Sequence, residues 1–219
     1  MSDEPTGFLY PFIESEERDS TSLLVELTGS ARGKMADSRT LRVAMLERWH
    51  DDLVRAGTAM ADRFRRGGRL LAFGNGGSAT DAEGTVDLFR RPPNGRPLAA
   101  LSLVDDRAVL TALANDVGFE LVFSRQIIAH AGVDDIAVGF STSGDSVNVL
   151  RGLEEAARRG LLTLGLCGYA GGAMAASTSI AHCLVVASES VHRIQEAQNA
   201  LTLRLWEMVQ QDLDAVMTA

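Results

Sequence analysis

The chain has 219 residues, 46% hydrophobic and 23% charged, which excludes intrinsic disorder for most of its length. A single domain of this size buries roughly 70% of its unfolded surface. Lys and Arg number 21 against 29 Asp and Glu, so the net charge of −8 argues against direct nucleic-acid binding, and 8 Phe, 2 Tyr and 2 Trp are too few for base-stacking platforms. Cys167 and Cys183 form no CxxC pair, which excludes a zinc ribbon or dithiol motif and suits a reducing compartment. MSDEPTGF lacks the basic and apolar regions of a secretory signal. Gly160 to Ser188 carries no Lys, Arg, Asp or Glu, but Gly165, Gly168, Gly171 and Gly172 break it into strand, loop and strand, not a membrane span. A cytoplasmic protein without a membrane role is expected.

In chain order, residues 1–40 read as an N-terminal arm: FLYPFIE is apolar and aromatic, ESEERDS is charged, and a weakly helical stretch runs to Ser38. From Leu41 to Phe64 the residues Leu46, Trp49, Leu53, Met60 and Phe64 recur at helical spacing, closed by Arg65-Arg66 and Gly67-Gly68. Then short apolar runs at 69–74, 98–103, 136–141, 161–167 and 182–187 show no alternation, the pattern of strands buried on both faces. Between them lie helical patterns at Ser78–Arg90, Asp106–Ala114, Phe119–His130 and Ser146–Arg159, a short GGAMAAS turn, and a last helix from Ser190 to about Val216. Strands alternating with helices predict an α/β protein: a flavodoxin-like, doubly wound, five-stranded parallel sheet over residues 41–219, flanked by long N- and C-terminal helices.

Ligands of such sheets bind outside the carboxyl ends of the strands. Two loops leave those ends and open helices: GNGGS at 74–78 and STSGDS at 141–146. Each offers glycines, N–H groups at a helix start and hydroxyls, a set that binds anions without a lysine. GNGGS lacks the last glycine of GxGxxG, and no GKS or GKT occurs, so a phosphomonoester is the better expectation than a dinucleotide. Either loop alone also reads as a turn with an N-cap.

GNGGSATDA, ANDVGF, FSTSGDSVNVL, GYAGGAMA and RIQEAQ, in this order and spacing, resemble the SIS (sugar isomerase) domain and, within it, the phosphoheptose isomerases, from about Leu41 to Val209. The resemblance implies a sedoheptulose 7-phosphate-like ligand and a homo-oligomer, dimer or tetramer, packed through the long helices with sites at subunit boundaries. It implies that Ser141, Thr142, Ser143 and Ser146 hold phosphate, that Asn75, Gly76 and Ser78 line the sugar, and that Asn115 and Asp116 meet its hydroxyls. Gln195 matches a position that contacts substrate and metal.

Aldose–ketose isomerisation needs a positioned base and an acid or metal at the sugar oxygens. In phosphoheptose isomerases a His and a Glu four apart follow the first loop, a second His follows the glutamine, and with it they hold zinc. The corresponding positions here are Gly84, Leu88 and Leu203, none of which ligates a metal or moves a proton. No cofactor is therefore expected. Glu83 and Asp87 flank the lost positions but point about 100° away on a helix. His192 is the remaining acid/base candidate; His50, His130 and His182 show no metal-ligand spacing.

Three readings stay open. The first is a sugar-phosphate-binding SIS protein without isomerase chemistry, acting as sensor, scaffold or assembly factor, with a protein partner met through the arm. Some relatives of this branch bind protein partners, including a replication-initiator-associating group. The second is an active phosphosugar isomerase with a site rearranged around His192, Gln195 and acidic residues. The third is a fold used only for oligomerisation.

Overall fold

A computed structural model describes residues 20–215; the FLYPF segment and Val216 lie outside the described residues. The chain divides after Thr40 into two compact units. The N-terminal unit contains most of α1 (Ser20–Arg48), nearly all of it exposed up to that point. The second unit begins with the end of α1 and continues through α2 (His50–Arg65).

The helix expected from Leu41 to Phe64 is thus two helices, broken at Trp49 (φ −99°, ψ 13°). The Trp49 indole Nε1 donates to the carbonyl of Val185 at 3.0 Å, and Asp51 and Asp52 follow in the first turn of α2, where negative charge favours a helix start. Local periodicity does not register this break, because the acceptor lies 136 residues away.

The remaining elements alternate as the apolar runs predict. They are β1 (Leu70–Gly74), α3 (Gly77–Arg90), β2 (Ala100–Ser102), α4 (Arg107–Asp116), α5 (Val122–His130), β3 (Ile136–Ser141), α6 (Val147–Arg158), β4 (Leu162–Gly168), α7 (Gly172–Ala176), β5 (His182–Val186) and α8 (Val191–Ala215). The helix expected from Phe119 starts instead at Val122, after a 3-10 turn over Phe119–Leu121 that Gly118 introduces (φ +104°). Asp106 caps α4, its carboxylate accepting from Val109 N at 3.0 Å.

All strand pairs are parallel, in the order β2-β1-β3-β4-β5, with Leu70 beside Ile136, Ile136 beside Leu162 and Leu164 beside His182. Every residue of β1, β3 and β4 is buried, which is why these runs show no alternation. Period-two geometry still sorts them by face. Leu70, Ala72, Ile136, Val138, Phe140, Leu164, Leu166 and Val186 pack with α2, α3 and α8 on one side. Leu71, Phe73, Ala137 and Cys167 pack with α5 and α6 on the other. Phe73 against Phe123 (centroids 5.0 Å apart) anchors the second layer, and Phe64 against Phe89 (5.8 Å) the first. Among the described residues no helix is long and apolar enough to cross a membrane.

Candidate functional site

β1 leads across one way to β2, while β3 and β4 continue the other way, so the topological switch point lies between the carboxyl ends of β1 and β3. Both glycine–serine loops leave those two ends. A reciprocal amide pair ties the first loop to the first turn of α6, Asn75 Nδ2 to Asn148 Oδ1 at 2.8 Å and Asn148 Nδ2 to Asn75 Oδ1 at 2.9 Å. Asn148 is buried, and its Oδ1 also accepts from Val149 N.

The STSGDS loop is organised by its own hydroxyls. Ser141 Oγ lies 2.9 Å from Ser146 Oγ and 3.3 Å from Ser143 Oγ, and accepts from Gly144 N at 3.1 Å. Ser146 occupies the N-cap position of α6 yet gives the helix no side-chain cap, because its hydroxyl is turned toward Ser141. The turn expected of this loop is present, Gly144 N donating to Ser141 O at 3.1 Å, but the expected side-chain N-cap is not. Ser143 is exposed and Thr142 and Ser146 are half-buried; of the first N–H groups of α6, that of Val149 is taken by Asn148 Oδ1, while those of Val147 and Asn148 have no backbone acceptor within the helix. Hydroxyls and N–H groups of this kind can hold an anion without a cationic side chain.

The turn after β4 holds the loop from behind. Gly168 N donates to Thr142 O (3.0 Å), Met174 N to Gly144 O (2.9 Å) and Ala173 N to the Asp145 carboxylate (2.8 Å). Gly144 has φ +74°, and a Cβ there would stand 2.0 Å from the Gly171 carbonyl oxygen, so both conformation and contact demand glycine.

Gln195, on the first turns of α8, reaches the start of α3: a Cβ on Gly77 would lie 2.5 Å from Gln195 Nε2. That nitrogen donates to Asp81 Oδ2 at 2.9 Å, and Asn199 Nδ2 donates to Asp81 Oδ1 at 3.2 Å. Burial pushes the Asp81 carboxyl up, while the hydrogen bonds from Gln195 and Asn199 pull it down.

The structure thus sets Gln195 against Gly77, between Gly76 and Ser78 in the chain, and joins Asn75 to Asn148 in the first turn of α6; Ser78 is buried and Gly76 exposed. Asn115 and Asp116 lie exposed at the end of α4, their side chains bonded to each other (2.9 Å) and to neither loop. His192 is exposed on the first turn of α8. Glu83 and Asp87 are also exposed, and Asp87 pairs with Arg91 at 2.6 Å. Asp81 and Asn148 are absent from the set that the sequence singles out. Asp81 carried a signal nevertheless, a carboxylate on the same side of α3 as Ala82, Thr85 and Phe89.

An open cavity of about 460 Å³ lies elsewhere, among Val43, Leu46, Glu47, His50 and Arg204.

Residues 35–168 match the family described as SIS domain. The phosphoheptose isomerase of Aquifex aeolicus is 38% identical over 180 residues, covering 80% of this chain and 92% of that one. That of Chlorobaculum tepidum is 41% identical over 181 residues, covering 81% and 86%. The structure of phosphoheptose isomerase GmhA from Neisseria gonorrhoeae superposes with a TM-score of 0.77 at 32% identity, covering 84% of this chain and 99% of that one. The chain belongs to the phosphoheptose isomerase branch of the SIS-domain family.

The zinc that the family implies does not fit the residues present. A Cβ on Gly84 would meet nothing within 4 Å, Leu88 is half-buried among core residues, and Leu203 is 45% exposed. Of the four expected donors only Gln195 is present, and one amide oxygen does not make a zinc site. Among the described residues no three His, Cys, Asp or Glu side chains converge on one point.

Proposed function

We propose that this chain is a sugar-phosphate-binding member of its family that lacks zinc-dependent isomerase chemistry and acts as a sensor, scaffold or assembly factor. One observation carries the reading. The hydroxyls of the STSGDS loop are held by hydrogen bonds at the switch point, which supports an anion site there, while the positions that should move the proton are Gly84, Leu88 and Leu203. Phosphate is held by Ser141, Thr142, Ser143 and Ser146 with the N–H groups of α6, and the sugar lies toward Asn75, Gly76, Ser78 and Gln195. Asn115 and Asp116 close on the hydroxyls, a role their exposure leaves them free to take. The protein works in the cytoplasm as a homo-oligomer. Exposed Val43, Val54 and Leu203, on helices of the 41–219 domain, support that assembly. Residues 1–40 serve as an arm for a protein partner.

The test is incubation of the pure protein with sedoheptulose 7-phosphate, with and without zinc, alongside calorimetry. Binding without turnover is expected. A second reading, an active isomerase with a rearranged site, is favoured by the 38% and 41% identity to phosphoheptose isomerases over most of the chain. Turnover that His192→Ala abolishes establishes that second reading. Absence of binding overturns the ligand assignment.

A further inference from the structure

Asp81 is a carboxylate only 6% exposed, one turn into α3, with no Lys, Arg or His in ion-pair contact among the described residues. Both oxygens are occupied by amides of α8, Oδ2 by Gln195 Nε2 and Oδ1 by Asn199 Nδ2. Burying a carboxylate is costly, and no ion pair offsets it here. A neutral side chain would join α3 to α8 at lower cost. What an ionised carboxylate does that a neutral amide cannot is accept on both sides. Facing it, each amide has one stable orientation, NH₂ inward, and the Gln195 oxygen becomes the end left over for other partners.

That oxygen has a defined location. A Cβ on Gly77, the first residue of α3, would lie 3.1 Å from Gln195 Oε1. The amide therefore sits over the GNGGS loop, beside the expected path of the sugar.

We infer that Asp81 is a positioning residue, holding the Gln195 amide so that its oxygen, an acceptor, meets a hydroxyl hydrogen of the ligand. The inference rests on the sugar-phosphate reading and sharpens it: Gln195 recognises the hydroxylated carbon chain, and the phosphate plays no part in that contact. A ligand offering only an acceptor at this point is disfavoured.

The arrangement prescribes its own rescue. Asp81→Asn offers one acceptor and one donor, so it cannot receive both amides, and Gln195 is free to turn its NH₂ toward the ligand. Asp81→Asn with Asn199→Asp restores the order. The amide introduced at position 81 donates to the new carboxylate at position 199 and keeps its oxygen for Gln195 Nε2, with the total charge unchanged.

The experiment uses the full chain with two readouts. The first is the Gln195 side-chain amide NMR signal, identified by its loss in Gln195→Ala, followed in hydrogen exchange without ligand. The second is calorimetry with sedoheptulose 7-phosphate and, separately, with inorganic phosphate. Asp81→Asn is expected to speed exchange at Gln195 and weaken sugar-phosphate binding about tenfold, the worth of one hydrogen bond. Affinity for inorganic phosphate should not fall, since a negative charge has been removed. The double variant should restore both readouts. If Asp81→Asn changes neither, or the double variant melts like the parent but still binds weakly, Asp81 only fastens α3 to α8 and the inference is overturned. A parent that binds phosphate but not the sugar phosphate also overturns it. A parent that binds neither overturns the sugar-phosphate reading, and the Gln195 exchange rates then decide whether Asp81 sets the amide.

Discussion

Replacing Gly144 by alanine tests whether the STSGDS loop depends on its contact with the turn after β4. At φ +74° an L-residue costs about 1 kcal/mol in backbone strain. The larger effect is steric. The new Cβ would stand 2.0 Å from the Gly171 carbonyl oxygen and 2.5 Å from its carbon, both backbone atoms with no rotamer to escape into. Relief requires the two segments to part by roughly 1 Å or more, given the ordinary separation of non-bonded atoms. The bonds from Gly168 N to Thr142 O, Met174 N to Gly144 O and Ala173 N to Asp145 all cross that seam. Each is worth about 1 kcal/mol, so the total is about 3–5 kcal/mol against a typical domain stability of about 5–15 kcal/mol. For a chain of this length that lowers Tm by on the order of 10 °C. The assay is thermal unfolding with and without inorganic phosphate, and phosphate protection should vanish together with the stability. The same substitution at Gly84 provides the contrast, because a Cβ there meets nothing within 4 Å in the interior of α3. Gly84→Ala should stabilise by about 0.5–1 kcal/mol. A Gly144→Ala protein that melts with the parent and keeps its phosphate protection would show that the loop does not depend on this seam.

Ser143→Ala with Ser146→Ala should weaken sugar-phosphate binding by removing two hydroxyl donors, read by calorimetry; unchanged affinity would remove the loop from the site. Burial holds the His182 imidazole below its ordinary range, with Arg55 acting in the same direction and Asp52 against it. As pH falls through the ordinary histidine value toward the lower folded-state value, the unfolded chain takes up a proton that the folded chain resists, so stability is lost over that window. His182→Gln should flatten that part of the Tm-against-pH curve, and an unaltered slope would place the effect elsewhere. Cys167 and Cys183 face each other at 3.6 Å from adjacent strands, Cys167 buried and Cys183 half-buried. The hydrogen bond between them lowers the Cys183 thiol and, with burial, raises that of Cys167. Iodoacetamide at limiting dose should therefore mark Cys183 first by peptide mass mapping; prior labelling of Cys167 would contradict this ordering.

The alternation of apolar runs with helical patterns marks the five parallel strands; the central β1, β3 and β4 are buried on both faces and so lack polar alternation, while the edge strands β2 and β5 are only partly buried. The run at 136–141 coincides with β3 residue for residue. The glycine and serine positions likewise mark both loops, since turn chemistry and hydroxyl content are local properties. What depends on residues distant in sequence is settled only on folding. The break at Trp49 is tied to a carbonyl on β5, and the Asn75–Asn148 pair joins the first loop to α6 across 73 residues of chain. Asp81 receives its two amides from a helix more than a hundred residues away. A net charge of −8 gives the chain no overall pull on anions, and the anion site proposed at 141–146 rests on hydroxyls and N–H groups instead. Sequence spacing places such groups on neighbouring strand ends. Which hydroxyl turns to which neighbour, and which amide atom is left for a ligand, follows from hydrogen bonds that exist only once the chain has folded.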